Sequence, residues 1–272
     1  MAANNLQERY SKLLDKRLRS LLVFKVGVTC NNRYEGNPKA GAVKIPVRPE
    51  AVINDYNKER GGTLNVAGTT YETITLDKDL YVNELIDGYD AAAVPDGLVA
   101  DRIDSAAYGL AYAMQKEGIK ELETTTTFGT TIGASTKENA YIAVLDAFEK
   151  LTANKVPVDG RVLLATPKFY TLLLQDPNFI RQANLSQEML TEGAVGMCAG
   201  FKVFIINDAN SKTEFLAYHP DWFTLNDEWN VPIHVQDLGG SGKFIGASAV
   251  QGRKIAKFKL TNKSACVMKK NA

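Results

Sequence analysis

The residues that most strongly suggest a chemical function are the glycines of Leu238–Gly246, LGGSGKFIG. They have the composition of a phosphate-binding loop. A Walker A loop requires a glycine five residues before the Gly-Lys pair and a Ser or Thr directly after it. Asp237 and Phe244 occupy those two positions. A dinucleotide-binding loop also fails, because Ile245 replaces its third glycine. The segment therefore predicts a glycine-rich hairpin turn.

Histidine and cysteine are too sparse for the common catalytic and metal sites. The two histidines, His219 and His234, each lie in a strand-like segment without a matching partner four residues on. The three cysteines are far apart and form no Cys-x-x-Cys pair, which favours free thiols in a reducing compartment over a disulfide framework. They are Cys30, Cys198 and Cys266. The sequence predicts no catalytic site, no metal site and no cofactor.

Residues 161–180, RVLLATPKFYTLLLQDPNFI, form the kind of strand-turn-helix step that holds a phosphate or a nucleophile in many enzymes. Here the turn offers no such group. Thr166 is predicted as the helix N-cap and Pro167 as the first helical residue. An α/β enzyme that binds a phosphorylated ligand at this turn, or at Gly239–Gly246, remains an alternative function from another class.

Charge is nearly balanced over the 272 residues, at +1, but it is uneven along the chain. The balance excludes a general polyanion binder or an acidic solvating chain. The last 35 residues contain eight basic and no acidic residues, whereas 77–104 is mainly acidic. These are either two solvated faces or the two sides of a self-association contact. The candidate contact residues are Asp77, Asp79, Lys254, Lys257 and Lys259.

Residues 1–41 are predicted to form an N-terminal arm. Leucines and Tyr10 recur at helical spacing over Leu6–Leu21 with basic residues between them, which predicts a basic amphipathic helix. Asn31–Gly41 is rich in Gly, Asn and Pro and predicts an extended segment. Neither a signal peptide nor a membrane span fits, because Lys25 ends the short apolar run before it.

Residues 42–82 predict a long two-stranded hairpin with the polar tip NDYNKERGG. Pro46 and Pro49 remove backbone donors, so its strands are expected at an edge. An isolated hairpin is marginal in water, and this one is therefore expected to lean on another element or another subunit. The tip residues predicted to contact another subunit are Asn57, Lys58, Glu59 and Arg60.

The remaining pattern mixes helices with strands and predicts an α+β fold. A long helix is predicted over 95–118, and a second helix after a capping box of Ser135 and Glu138. Gly200–Ile206 predicts a buried strand. The strands predicted from Glu214 onward are EFLAYH, WFTLN, IHVQ, KFIGASAV and KIAKFKL.

The segment GRVLLATPKFYTLLLQDPNFI, followed by VGMCAGFKVFIIND, resembles the axial-domain core of tailed-phage major capsid proteins of the Hong Kong 97 type. In that family a strand, a Pro-initiated helix and a Gly-Phe-x-Val strand occur in this order, ahead of a strand-rich C-terminal part. The motif covers about residues 156–208, and the order of elements agrees over most of the chain.

The resemblance implies four parts: an N-terminal arm (1–41), an extended hairpin loop (42–82), a peripheral domain with a spine helix and β-sheet (83–123 and 230–272), and a mixed axial domain (124–229). It implies the major capsid protein of a tailed double-stranded DNA bacteriophage, whose copies form pentamers and hexamers and then an icosahedral shell. An encapsulin-like bacterial nanocompartment shell protein is the alternative with the same fold.

The implied partners are mainly other copies of the chain. The hairpin would cross a neighbouring subunit, and the basic arm would contact a neighbour or, without sequence specificity, packaged double-stranded DNA. Separate scaffolding, portal and decoration proteins are further partners of such shells, and no membrane is expected. No room is left for a long scaffolding domain before the arm, so scaffold is expected to be separate, cleaved or unnecessary. The expected location is the virion, after assembly in the bacterial host cytoplasm.

The founding member of the family joins a hairpin lysine covalently to an asparagine elsewhere. Lys58 lies near the hairpin tip, but charged residues are ordinary at a tip, and this match is too thin to predict a crosslink.

Overall fold

The computed structural model describes residues 19, 22–34, 41–66, 68–88, 98–126, 128–129, 133, 135–176, 195–210, 212–239 and 245–270. Within these ranges the chain has an α+β fold with three sheets, which confirms the predicted class. The strands are β1 (Ala42–Val47), β2 (Thr70–Thr75), β3 (Asp79–Ile86), β4 (Phe128–Gly129), β5 (Val162–Ala165), β6 (Gly196–Cys198), β7 (Phe201–Ile205), β8 (Thr213–Tyr218), β9 (Phe223–Asp237), β10 (Ser248–Leu260) and β11 (Cys266–Lys270). The helices are α1 (Leu98–Thr125), α2 (Ala140–Ala153) and α3 (Pro167–Gln175), with 3-10 turns at Pro220–Trp222 and Lys263–Ala265.

A six-stranded sheet, in the order β4-β11-β8-β5-β7-β6, holds most of the core. All four residues of β5 are buried because both faces of the sheet are covered. Leu163 and Ala165 pack with α2 and α3 on one face. Val162 and Leu164 pack with α1, β9 and β10 on the other. Each buried valine or leucine of β5 stabilises the fold by about 1.5–3 kcal/mol relative to exposure in water.

The predicted N-cap, Thr166, and first helical residue, Pro167, are confirmed at the turn after β5. The Thr166 hydroxyl accepts from the Phe169 backbone N–H at 3.4 Å and donates to the Glu214 carbonyl at 2.9 Å. Pro167 opens α3, where its missing N–H leaves no broken helical bond. The hydroxyl thus caps one element and ties it to a neighbouring strand.

The capping box predicted at Ser135 and Glu138 is wrong. Helix α2 begins at Ala140, and Ser135 instead donates its hydroxyl to the Glu214 carboxylate. Glu214 also faces the ammonium of the fully buried Lys269 at 3.3 Å. A buried cation requires a counter-charge and further hydrogen bonds, and Ser135 completes this arrangement rather than the helix end.

Helix α1 is longer than the helix predicted to end near Gly118. Gly118 lies inside it, buried beneath Phe24 and Phe258, and a Cβ at this position would lie 2.6 Å from Phe24 Cε2. The glycine therefore permits close packing and does not end the helix. None of the helices within the described ranges combines the length and apolar character needed to span a membrane.

The strands predicted as WFTLN and IHVQ form one strand, β9, and those predicted as KFIGASAV and KIAKFKL contribute to one strand, β10. Two irregularities in the β9–β10 pairing interrupt the alternation of side chains, between Gln251 and Arg253 and between Ile255 and Ala256. Alternation lost at a bulge looks like the end of a strand. Antiparallel pairing up to Asp237 and Ser248 confirms the hairpin turn, whose residues 240–244 lie outside the described ranges.

Part of the predicted arm belongs to the body of the subunit. Val23, Thr29 and Cys30 are buried, and the Asn31 side-chain amide donates to the carbonyls of residues 220, 221 and 223. The predicted amphipathic helix lies outside the described residues, apart from Arg19. The C-terminal strand also differs from its predicted peripheral position, because β11 pairs with β8 in the six-stranded sheet.

Candidate intersubunit surfaces

The β1–β2 hairpin is confirmed as a two-stranded antiparallel pair. Its register runs from Ala42 opposite Thr75 to Val47 opposite Thr70. Ile45 and Ile74 are its buried side chains. The pair is shorter than the predicted 42–82, because residues from Asp79 onward form β3 and pair with β10. The chain that follows β2 therefore joins the three-stranded sheet, whereas residues 48–66 extend beyond β1 and β2 at the other end of the hairpin.

The hairpin tip is a turn that satisfies its own polar groups. The Gly61 N–H donates to the Asn57 carbonyl at 2.8 Å, and the Glu59 N–H donates to the Asn57 side-chain oxygen at 2.8 Å. Gly61 has a φ of +72°, which favours glycine. Asn57, Lys58, Glu59 and Arg60 are all exposed. Their predicted contact with another subunit remains a prediction.

The extended part of the hairpin exposes a set of apolar side chains that the sequence reasoning missed. Ile53, Leu64 and Val66 are each 92% exposed, and Tyr56 is 73% exposed. Leu64 and Val66 alternate as strand residues do, so periodicity does not distinguish them from residues that face a core. Large exposed apolar side chains grouped on one segment are typical of an interaction surface.

The acidic block and the basic strands meet within one chain. Lys257 Nζ lies 2.8 Å from Asp77 Oδ1, and this hydrogen bond lowers the pKa of Asp77. The Arg253 guanidinium binds both oxygens of Asp79 and lowers the pKa of that carboxyl. Asp77 and Asp79 of the acidic block are therefore already paired with basic residues of the same chain.

The other two basic candidates are paired in the same way. Lys254 Nζ lies 2.6 Å from Asp227 Oδ2, and Lys259 Nζ lies 3.4 Å from Glu121 Oε1. Strand pairing between β9 and β10 brings Lys254 to Asp227, and the packing of α1 on β10 brings Glu121 to Lys259. A role for the five charged candidates between subunits remains a prediction.

The open face of the β3-β10-β9 sheet carries a second group that the sequence reasoning missed. Tyr81 is 74% exposed and lies opposite Arg253 in the strand register. The Arg253 guanidinium lies 5.1 Å from the ring centroid of Trp229, which is 45% exposed. Trp, Tyr and Arg are the residues most enriched at the energetic centres of protein interfaces.

The cysteines and His219, which could in principle be reactive, are buried and take part in packing or hydrogen bonding. Burial raises the pKa of each of the three thiols to about 12, so they stay protonated at neutral pH and are weak nucleophiles. The buried His219 ring contacts the Asp159 carbonyl at 2.9 Å and the Asp221 N–H at 3.2 Å. In the described ranges, no three His, Cys, Asp or Glu side chains are grouped as a metal site.

A cavity of about 180 Å³ lies beside the turn that opens α3, where a phosphate-binding enzyme would hold its ligand. Two of the polar residues that line it, Thr166 and Glu214, already have partners. Thr166 caps α3 and binds the Glu214 carbonyl, and the Glu214 side chain faces Lys269 and Ser135. The arrangement serves packing between α3 and the sheet.

Known protein families and curated proteins give no match to this sequence. Solved structures do match over nearly the whole chain. A protein of Mycobacterium phage Che8 is 19% identical, with 99% of this chain and 98% of that chain covered and a TM-score of 0.76. The capsid of Cyanophage P-SCSP1u is 13% identical, with coverage of 99% and 94% and a TM-score of 0.80.

A third match has the same extent. The capsid of an empty GTA particle is 14% identical, covers 100% of this chain and 98% of its own, and has a TM-score of 0.71. Identities this low establish a shared fold and not a shared role. The order of elements inferred from the sequence, the three sheets and the full-length structural likeness agree, and this chain has the Hong Kong 97-type capsid fold.

Proposed function

We propose that this chain is the major capsid protein of a tailed double-stranded DNA bacteriophage. Its copies assemble as pentamers and hexamers into an icosahedral shell that encloses the genome. The observation that carries the proposal is the likeness to the cyanophage capsid over 99% of this chain and 94% of that one. A likeness of that extent includes the whole architecture and not one shared module.

The hairpin supports a role in assembly. A segment with Ile53, Leu64 and Val66 almost fully exposed gains burial only by binding something else. Binding that buries apolar surface stabilises the bound state. The hairpin crosses a neighbouring subunit in this proposal, and the exposed tip residues 57–60 take part in that contact.

The other parts have matching roles in the proposal. The spine helix and the peripheral sheet join neighbouring subunits, and the axial domain lies toward the centre of each ring. The N-terminal basic segment contacts a neighbour or, through salt-sensitive attraction, the packaged DNA. Assembly takes place in the bacterial host cytoplasm and uses separate scaffolding, portal or decoration proteins where the shell requires them.

The role is structural and not catalytic. Support comes from thiols whose burial keeps them protonated and from the Thr166 hydroxyl, which caps α3 and binds the Glu214 carbonyl. A nucleotide or phosphorylated metabolite that raises the melting temperature of the protein would favour the enzyme alternative instead.

Expression of the full chain followed by electron microscopy and sedimentation tests the proposal. The expected result is rings of five or six subunits and closed shells. A strictly monomeric protein over a wide range of salt and protein concentration contradicts it. Native particles that protect double-stranded DNA from nuclease support the phage capsid, whereas particles filled with protein and free of DNA support the nanocompartment alternative.

A further inference from the structure

The edge of the three-stranded sheet formed by β3 is open. The sheet order is β3-β10-β9, so β3 pairs with β10 on one side only. That register is uninterrupted from Asp79 opposite Ile255 to Ile86 opposite Ser248. Along its other side, β3 pairs with no strand in the described part of the chain. An edge strand of this kind is a ready template for another chain.

The backbone groups that face the open side follow from one hydrogen bond. The Ala256 N–H donates to the Lys78 carbonyl at 3.1 Å, which places Lys78 in a hydrogen-bonded pair with β10. Such pairs alternate along an antiparallel ladder, so the even-numbered residues of β3 bind β10. The N–H and C=O groups of the odd-numbered residues therefore point toward the open edge. These residues are Asp79, Tyr81, Asn83 and Leu85.

The strand lacks the features that protect natural edges. Its sequence, DLYVNELI, has no proline, glycine or lysine, and its pairing has no bulge. The opposite edge strand, β9, carries Pro232 and two irregularities of pairing. Prolines and bulges are devices that prevent edge pairing. Among the described residues, one edge of this sheet is thus blocked and the other is left open.

The charges on β3 are neutralised within its own subunit. Asp79 binds the Arg253 guanidinium, and Glu84 lies 3.5 Å from Arg102 of α1. A second copy of the strand therefore approaches without bringing two uncompensated carboxylates together. This favours a partner with the same charge pattern, such as the same strand from another copy.

We propose that β3 pairs with β3 of a second copy, antiparallel and across a two-fold axis at Asn83, to merge two three-stranded sheets into one of six strands. The contact rests on the proposed function and deepens it. Head-to-tail contacts close a ring of subunits, whereas a two-fold contact uses the same patch on both partners. The pairing therefore joins neighbouring rings into a shell.

This register puts apolar side chains opposite each other on both faces. With Asn83 opposite its own copy, Tyr81 lies opposite the second copy's Leu85 on the open face, and Leu80 lies opposite Ile86 on the other face. Tyr81 and Leu85 are 74% and 54% exposed in the single subunit and become cross-strand neighbours. The register also puts Val82 opposite Glu84 and Asp79 opposite Asp87, and the arginines that pair with Asp79 and Glu84 in their own subunit offset these charges.

A covalent crosslink tests the register directly. Directly opposed residues of a hydrogen-bonded antiparallel pair have Cα atoms about 5.5 Å apart, but their Cβ atoms are farther apart than the roughly 4 Å that a disulfide requires. Asn83→Cys is therefore expected to give a covalent dimer in most chains when assembled particles are treated with a short bifunctional thiol reagent. The matched control is Gln251→Cys, which lies opposite Asn83 on the central strand and should remain monomeric. The natural cysteines are buried and do not interfere.

A charge introduced at the same position should weaken the contact. Asn83→Lys puts two ammonium groups opposite each other across the axis, and we expect an unchanged melting temperature but about tenfold fewer closed particles, the effect of about 1.4 kcal/mol. Gln251→Lys places the same charge on the same face away from the edge and should assemble normally. A wild-type protein that forms no particles contradicts the proposed function. Particles in which Asn83→Cys gives no dimer overturn the strand pairing alone.

Discussion

The β5 strand and the extended part of the hairpin, residues 48–66, contain similar apolar residues in opposite environments. All four residues of β5 are buried, by helices α2 and α3 on one face and by α1 with β9 and β10 on the other. In the hairpin, Ile53 and Leu64 are 92% exposed. The body of the subunit therefore obtains its burial from its own chain. The hairpin carries apolar residues that the described part of the chain leaves exposed.

The largest expected difference is in the free energy of unfolding, when a leucine is replaced by alanine in β5 and in the hairpin. Leu164→Ala in β5 should lower the free energy of unfolding by about 2–5 kcal/mol, because it removes a fully buried side chain and leaves a cavity. Leu64→Ala should change it by less than about 0.5 kcal/mol in the unassembled subunit. Urea denaturation of both variants measures the difference.

The yield of closed particles should reveal an effect of Leu64→Ala that subunit stability does not. Leu64→Ala should reduce closed particles while leaving the subunit folded, because it removes apolar surface that only assembly buries. An equal loss of subunit stability from both leucine substitutions would show that the hairpin is already buried by its own chain.

A second prediction concerns the buried Arg161. Its guanidinium donates to the carbonyls of Phe148, Pro157 and Val156 at 3.2, 2.8 and 2.7 Å, and it lies 4.7 Å from the ring centroid of Phe148. Desolvation lowers the pKa of this group. Arg161→Leu should cost about 3 kcal/mol, because buried carbonyls lose their donors. The measurement is thermal unfolding.

Arg60→Leu at the hairpin tip is the matched control for Arg161→Leu. Arg60 is exposed, so its loss should change the melting temperature of the subunit little. A melting temperature that falls as much for Arg60→Leu as for Arg161→Leu would remove the contrast between the two regions.

The smallest expected effect lies where the hairpin joins the body. Hydrogen bonding to Lys257 lowers the pKa of Asp77, so its stabilising contribution is complete above the unfolded pKa of about 3.9 and is lost as the pH falls through the lower folded value. Because the Asp77 side chain is 55% exposed, the contribution is below about 1 kcal/mol. The difference in melting temperature between wild type and Asp77→Asn should therefore begin to shrink as the pH falls below about 4 and disappear once the pH lies below the folded pKa of Asp77. A difference that grows with acid would contradict this assignment.

Local signals in the sequence predicted the parts of the fold that local physics determines. Thr166 and Pro167 mark the start of α3 because capping and a fixed φ act within a few residues. The β1–β2 hairpin follows from turn residues between two extended runs. Ser135 was misassigned because its partner, Glu214, is distant in sequence. The continuity of β9 was missed because bulges hide the period of the strand.

The candidate surfaces show the same limit. Composition identified Asp77 and Lys257 as members of opposite charge blocks, but only the strand arrangement brings them within 2.8 Å of each other in one chain. Ile53 and Leu64 gave no signal because apolar residues of a predicted hairpin are not distinguishable by pattern from buried ones, and only the structure shows them exposed. The open edge of β3 also depends on sheet order, which no local pattern specifies.

Hydrogen exchange of residues 48–66 in free subunits and in assembled particles tests the central claim most directly. In the described residues, the one backbone hydrogen bond within this segment runs from the Gly61 N–H to the Asn57 carbonyl. We expect fast exchange in the free subunit and exchange slowed about tenfold or more in particles, with the buried β5 protected in both. Exchange of residues 48–66 that is equally fast in particles and in free subunits would contradict the claim that another copy of the chain completes the hairpin.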